Sequence, residues 1–346
     1  MVIKQSIKMT TGALLIGSFA IAPHAFAKSE VKISGQVSRA LTFADNGVDD
    51  DVLFTDNTNS GTRFRITGET DAVAGITVGF NIETQYQDNA SDQVDINDSD
   101  SSSAFRSRKR ELYFQGGFGK LSLGQGDGAA NGTSEVDFSG TTIADYSGQD
   151  LYDGISFVDS AGNAVVSNGQ AFDNFDGLSR NDRIRYDSLN FGPVGFAVSA
   201  GTDKGEIAAR YSQKLAGGSK VGAAIGYVTD DADDFQQLGL SASYLASNGF
   251  NITGAYGEQY LNDSPLDPTS AYIKIGQKLG AHNLSVSYTL TEDQVASNVE
   301  AERINLAYVY HLKQGVELFA DYENAQIDAD GVEDKNLFSI GSRVKF

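Results

Sequence analysis

The sequence predicts an all-β protein, an antiparallel transmembrane β-barrel of sixteen strands, and three observations predict it. The first is strand-period alternation. In residues 337–346, Phe338, Ile340, Val344 and Phe346 share one parity, and Ser339, Gly341, Arg343 and Lys345 share the other. Side chains of a strand point alternately to its two faces, so one face is apolar and the other small or cationic. A wall with lipid outside and water inside requires that division. The second is the N-terminal segment. Lys4 and Lys8 precede an apolar stretch at 9–22, and Ala25-Phe26-Ala27 is a small-residue cleavage site, the pattern of a removed secretory signal. The third is that no run of about 18 apolar residues follows Ala27, which excludes a spanning helix but not a spanning barrel.

Each strand is legible in turn. Strand one is expected over 30–44, followed by an acidic loop with Asp45, Asp49, Asp50, Asp51 and Asp56. Strand two covers 62–70, with Phe64 and Ile66 opposite Arg63, Arg65 and Thr67. A tight turn at 71–75 leads to strand three, 76–87, and then to a second acidic loop with Asp88, Asp92, Asp95, Asp98 and Asp100. Strands four (105–115) and five (120–125) meet at Gly116-Gly117-Phe118-Gly119, and a long loop follows over 126–180. Strands six (181–191) and seven (194–202) meet at Gly192-Pro193, and eight (206–214) and nine (220–229) at Ala216-Gly217-Gly218. Strands ten (235–245) and eleven (250–261) meet at Ser247-Asn248-Gly249, and twelve (270–279) and thirteen (283–291) at Gly280. Strands fourteen (302–312) and fifteen (316–327) meet at Gln314-Gly315, and the last covers 334–346. Short Gly- or Asn-bearing turns alternate with longer, Asp-rich connections, the asymmetry of a two-ended barrel. The expected organisation is a signal segment at 1–27 and one barrel domain at 28–346, with both termini at the periplasmic end.

Composition narrows the function classes. The formal charge is −20, which disfavours nucleic acid as a partner. Cys is absent, so there is neither a disulfide framework nor a thiolate metal site. With 38 Gly, 15 Tyr, 20 Phe and only 4 Pro, the chain suits long ladders and interfacial aromatic girdles.

Four segments carry a resemblance: Thr62-Arg63-Phe64-Arg65-Ile66-Thr67-Gly68-Glu69, Gly116-Gly117-Phe118-Gly119-Lys120-Leu121-Ser122-Leu123-Gly124, Arg183-Ile184-Arg185-Tyr186-Asp187-Ser188, and the terminal Phe346. Together they resemble the Gram-negative general-diffusion porin family. The resemblance implies an outer-membrane location, a homotrimer, and a third external loop folded into the lumen. It also implies contact with lipid and lipopolysaccharide, and recognition of the Phe346-bearing strand by the barrel-assembly machinery.

Electrostatics then locates the candidate site. By parity Arg63 and Arg65 point inward, as do Arg183 and Arg185 on strand six. Arg106, Arg108 and Arg110 share a parity on strand four and are expected inward, although Leu112 and Phe114 share it too. Charges of this number in lipid cost several kcal/mol each, roughly 2–4 at the midplane, so a wet lumen is their place. The long loop supplies acids: Glu135, Asp137, Asp145, Asp150, Asp153, Asp173 and Asp176. Ser134-Glu135-Val136-Asp137-Phe138-Ser139-Gly140 is similar to the family's constriction-loop motif, without its proline. The resemblance implies that Glu135 and Asp137 face Arg63, Arg110, Arg183 and Arg185 across the narrowest point, with a transverse field between them that favours polar solutes. The plainer alternative is that the arginines pin the loop.

Three other functions have candidate residues in the chain. Asp49, Asp51, Asp95 and Asp98 offer clustered oxygens for Ca²⁺, although no calcium-loop spacing is present. A barrel hydrolase needs a nucleophile with a base, and beyond His24 only His282 and His311 are available. A channel specific for a sugar or an anion would use an aromatic ladder or a lysine-rich pore; Tyr146 and Tyr152 are the only hint of the former. The reading is therefore a passive channel for small hydrophilic solutes and ions, with the substrate-specific channel as the alternative.

Overall fold

The computed structural model describes residues 30–346 apart from 74, 263, 313 and 314. The expected signal segment at 1–27 lies outside the described residues. In chain order the strands are β1 Glu30–Asp45, β2 Asp50–Asp56, β3 Arg63–Val73, β4 Ile76–Gln87, β5 Ala104–Gly116, β6 Gly119–Asp127, β7 Ser156–Val158, β8 Ala164–Ser167, β9 Arg180–Asp187 and β10 Val194–Gly201. They continue as β11 Lys204–Lys214, β12 Lys220–Asp230, β13 Phe235–Leu245, β14 Phe250–Leu261, β15 Thr269–Leu279, β16 His282–Glu292, β17 Glu300–His311, β18 Val316–Ile327 and β19 Lys335–Lys345. One helical turn, α1 Asn168–Ala171, follows the β7–β8 hairpin.

Each wall strand pairs antiparallel with its neighbours, and β19 pairs with β1, so the sheet closes on itself. β2 and β3 both lie against β1, β2 along residues 39–45 and β3 along 30–36. They are two halves of one stave, and β7 and β8 stand apart in a hairpin of their own, which leaves a closed barrel of sixteen antiparallel staves. Closure satisfies the backbone groups within the wall, the condition for crossing hydrocarbon without helices.

The second stave departs from the sequence reading. Residues 50–56, expected in an acidic loop, form a strand with Val52 and Phe54 exposed and Leu53 and Thr55 buried. The chain leaves the wall at 57–62, where the Asn57 side chain caps a 3₁₀ turn over Thr58–Ser60. Gln36 holds this excursion by donating to the carbonyls of Ser60 (2.6 Å) and Gly61 (2.9 Å).

The wall's two faces divide as the period-2 pattern requires. On β16, Leu284 and Val286 are exposed while Asn283, Ser285, Ser287, Thr289 and Thr291 are buried. The last residue completes the closure. Phe346 and Gly35 exchange backbone hydrogen bonds of 3.0 and 2.9 Å. A Cβ on Gly35 would stand 2.6 Å from the Arg63 carbonyl as well as from the Phe346 ring, so glycine leaves room there for the neighbouring backbone and the terminal aromatic.

Candidate functional site

One stretch of the inner wall is built of arginine. Arg63 and Arg65 alternate with the exposed Phe64 on β3 and meet Glu83 on β4, a carboxylate that is 1% exposed. Arg65 Nε donates to Glu83 Oε2 (2.8 Å) and Arg108 Nε to Glu83 Oε1 (2.7 Å); Arg63 Nη1 lies 3.6 Å from Oε1. Arg108 also donates to Gln85 (2.6 Å). One buried acid thus fixes three guanidiniums side by side, each paired with a charge rather than abandoned in a low-dielectric wall.

The β5 contribution corrects the sequence reading. Glu83 pairs with Lys109 and Thr84 with Ser107, so Arg108 is the extra residue of a β-bulge. The bulge reverses parity. Above it Arg106 faces inward; at it Arg108 and Lys109 both do; below it Arg110 falls on the outer face with Leu112 and Phe114. Arg110 donates to Gln125 (3.0 Å) and does not line the cavity.

Arg183 and Arg185 face inward as expected, with another task. Arg183 is 7% exposed, pairs with Glu111 (2.5 Å), and donates to the carbonyls of Gly124 and Asp127 (3.0 Å each). Arg185 pairs with Asp187 (2.7 Å) and donates to the Gly128 carbonyl (2.7 Å). Both hold the point where the chain leaves β6. Arg180, which the sequence reading left out of the site, lines the cavity instead.

Residues 128–179 run along the polar face of the opposite strands. Ala130 N donates to Glu206 (2.6 Å), Val136 N to Ser241 Oγ (2.9 Å), Phe138 N to Ser243 Oγ (3.0 Å), and Gln149 to Glu323 (3.0 Å). Glycines on β12 and β14 give the segment room. A Cβ on Gly226 would stand 2.5 Å from Thr133 Oγ1, and one on Gly257 2.5 Å from the Asn174 carbonyl. Backbone approach this close is the usual reason for glycine inside a strand.

Asp137 and Asp145 do not face the arginines. They close on Lys274 of β15, which is fully buried, at 2.8 and 3.3 Å. Lys274 sits between the exposed Ile273 and Ile275, so it is the inward charge of its strand and recruits the nearest acids of the segment. Burial pushes the Asp137 carboxyl up, but the charge and hydrogen bond of Lys274, with those from Ser139, outweigh it and hold it below the ordinary carboxylate range.

Glu135 does line the cavity, with Asp92, Tyr146, Asp150, Asp153, Asp173 and Asp176. Burial, with the charges of Asp176 and Asp150, pushes Glu135 well above its ordinary range. Burial and Asp92 raise Asp150 to about 6. Burial and then Asp150 push Asp153 well up, and burial raises Asp176. The cavity between this acidic surface and Arg63, Arg65, Arg106, Arg108 and Arg180 measures about 720 Å³.

Residues 11–330 match the family model described as Gram-negative porin. The chain belongs to the Gram-negative porin family. It is an outer-membrane β-barrel channel for passive diffusion. No curated protein matches it. Among solved structures it is similar to an anion-selective porin from Comamonas acidovorans, at 17% identity and TM-score 0.65, covering 92% of this chain and 100% of that one. It is also similar to the outer-membrane channel DcaP of Acinetobacter baumannii (15%, TM-score 0.61, 92% and 97% covered). The trimer form of in-vitro folded OmpT, an outer-membrane protein of Vibrio cholerae, is a third (13%, TM-score 0.60, 92% and 99% covered).

Family and fold are those of a channel rather than an enzyme. His282 bonds to Tyr308 (2.7 Å), and His311 bonds to the Gly140 carbonyl (3.0 Å) beside Glu317. The four aspartates considered for Ca²⁺ are placed apart from the cavity. Asp51 accepts from Val52 N (2.7 Å), Asp95 from Ile96 N (2.7 Å) and Ser156 N (3.2 Å), Asp98 pairs with Asp95 through backbone, and the Asp49 carbonyl accepts from Asn46 N. Among the described residues no group of three or more His, Cys, Asp or Glu is placed to hold a metal ion.

Proposed function

We propose that the cavity is the constriction of a general-diffusion channel, with residues 128–179 as the loop that narrows the lumen. Small hydrophilic solutes and ions pass between Arg63, Arg65, Arg106, Arg108 and Arg180 on one side and Glu135, Asp150, Asp153 and Asp176 on the other. The single observation that carries this reading is that both charge rows line one cavity. A polar solute aligns its dipole in the field between them, whereas an apolar one loses hydration for nothing. Arg183 and Arg185 serve as anchors at the root of the loop, and Asp137 and Asp145 anchor it to the far wall. Both termini face the periplasm, Phe346 is the residue the barrel-assembly machinery reads, and the external loops meet lipopolysaccharide. The channel assembles as a homotrimer, a reading supported by the trimer form of a structural relative.

Recording in planar bilayers tests the reading. Ohmic steps grouped in threes, unaffected by any one sugar, are expected. A second reading, a channel specific for small anions, is favoured by the arginine wall and by the anion-selective porin among the structural neighbours. Saturation and block by one particular organic anion would replace general diffusion with that reading.

A further inference from the structure

The connections at the two ends of the barrel carry opposite charge. At one end lie 46–49, 88–103, 128–179, 202–203, 231–234, 262–268, 293–299 and 328–334. Each of them contains aspartate or glutamate, and none contains lysine or arginine. At the other end lie the turns 74–75, 117–118, 188–193, 215–219, 246–249, 280–281 and 312–315. None of these contains an acid.

The inner rim of the turn end adds cations. Lys214, the last residue of β11, stands opposite Lys220, the first of β12. Parity turns both inward, Lys214 with the buried Glu206 and Ala208, and Lys220 with the buried Ala224 and Val228. Lys278 on β15 shares the parity of Lys274 and donates to the Phe138 carbonyl (3.4 Å), which places it directly beneath the segment 128–179. Like charges directly opposite on neighbouring strands repel. Among the described residues none of these three lysines is paired with a carboxylate, whereas most acids of the same rim are taken. Glu30 pairs with Lys32 (3.3 Å), Asp187 with Arg185 (2.7 Å), and Glu317 with Arg343 (2.5 Å) and Lys345 (3.1 Å). Glu69 and Asp71 stand across the barrel on β3. The lumen therefore runs from an acidic mouth to a basic one.

We propose that the channel rectifies, passing more current when the loop end is the positive side. This rests on the diffusion-channel reading above and adds a direction to it. With that polarity K⁺ enters past the acidic connections and Cl⁻ enters past the lysines. Each ion comes through the mouth whose charge concentrates it, so both accumulate in the lumen. With the opposite polarity each ion must enter through the mouth that repels it, and the lumen is depleted of both. A lumen charged alike at its two ends would be selective without having a direction. The effect depends on screening. The field of a mouth reaches about 10 Å in 0.1 M salt and only about 3 Å in 1 M.

Single channels in symmetric KCl test the proposal. Because the chain has no cysteine, Ser297→Cys, exposed in the connection 293–299, can be biotinylated alone. Streptavidin added to one side then blocks only those channels whose loop end faces it, which fixes orientation. In 0.1 M KCl the current with the loop end positive is expected to exceed that with the loop end negative at equal voltage, from the first instant of the step. In 1 M KCl the ratio should fall to 1 and the steps should be ohmic. Lys214→Gln/Lys220→Gln should lower the ratio, and Lys214→Glu/Lys220→Glu should bring it to 1 or below. Heat-shifted migration of each variant verifies a folded barrel. A ratio unchanged in the Glu variant overturns the proposal. So does an asymmetry that persists in 1 M KCl or develops only slowly after the step, since shape or gating then produces it. Ohmic steps at both salt concentrations leave the diffusion channel standing and remove its direction, whereas absence of any conductance removes the channel reading itself.

Discussion

The inner surfaces of the two halves of the barrel obey the same alternation and do opposite work. On β12–β16 the inward residues are mostly glycine, serine and threonine with few buried charges, and the segment 128–179 lies on them. On β3 and β5 the inward arginines Arg63, Arg65, Arg106 and Arg108, with Arg180 at the start of β9, line open space. The comparison teaches that a polar inward face has two fates. Small residues make a bed for another piece of chain, whereas long cations ordered by one buried acid leave a passage and set its field.

Breaking the bed should have the largest effect. Lys274→Met leaves Asp137 and Asp145 facing each other without a counter-charge, and losing one member of a buried pair costs ~3–5 kcal/mol. Urea unfolding in detergent should show the loss, and single-channel traces should become noisier as the segment loosens. Adding Asp137→Asn and Asp145→Asn should restore most of the stability, because the unpaired charge is then gone. If Lys274→Met alone is neutral, the segment is held by something else. Gly257→Val comes next, since its side chain would meet Asn174 and Phe175, and overpacking of this kind costs ~1–3 kcal/mol. Gly117→Ala, which meets nothing within 4 Å, should leave the unfolding midpoint where it is.

The passage side should respond to pH rather than to denaturant. Glu135, Asp150, Asp153 and Asp176 have raised carboxyl pKa values, Asp150 at about 6. A raised carboxyl contributes stability that is full below its unfolded pKa and is lost as pH rises through its folded pKa. The segment should therefore be held more firmly at pH 5 than at pH 8, against the usual trend. Over the same interval these acids lose charge on acidification while the arginines keep theirs, so the reversal potential should move toward anion preference. A reversal potential that is flat between pH 8 and pH 5 would place these carboxyls away from the ion path.

Much of this was written in the sequence. The alternation of Leu284 and Val286 with Ser285 and Ser287, and the alternating connection lengths, place most staves without coordinates. The loss came where one residue changes the count. The bulge at Arg108 turns Arg110 outward, and no local composition marks it; the apolar Leu112 and Phe114 on the same parity were the available signal. The β2 half-stave was hidden because Asp50, Asp51 and Asp56 read as loop, although Val52 and Phe54 alternate with Leu53 and Thr55. Asp137 was set against the arginines, and Asp145 left without a partner, because Lys274 is a lone charge in a strand, and lone charges carry no pattern. The inward glycines of adjacent strands, Gly226, Gly239 and Gly257, were a signal of the bed that the sequence reading did not use, since glycine inside a strand signals close backbone approach.

The central claim is that water and ions pass between two facing rows of opposite charge, and zero-current potential in a tenfold KCl gradient tests it most directly. Arg63→Gln/Arg108→Gln should move that potential toward cation selectivity, and Asp150→Asn/Asp153→Asn should move it toward anion selectivity at pH 8. Shifts of the same sign, or none in either variant, would contradict the account.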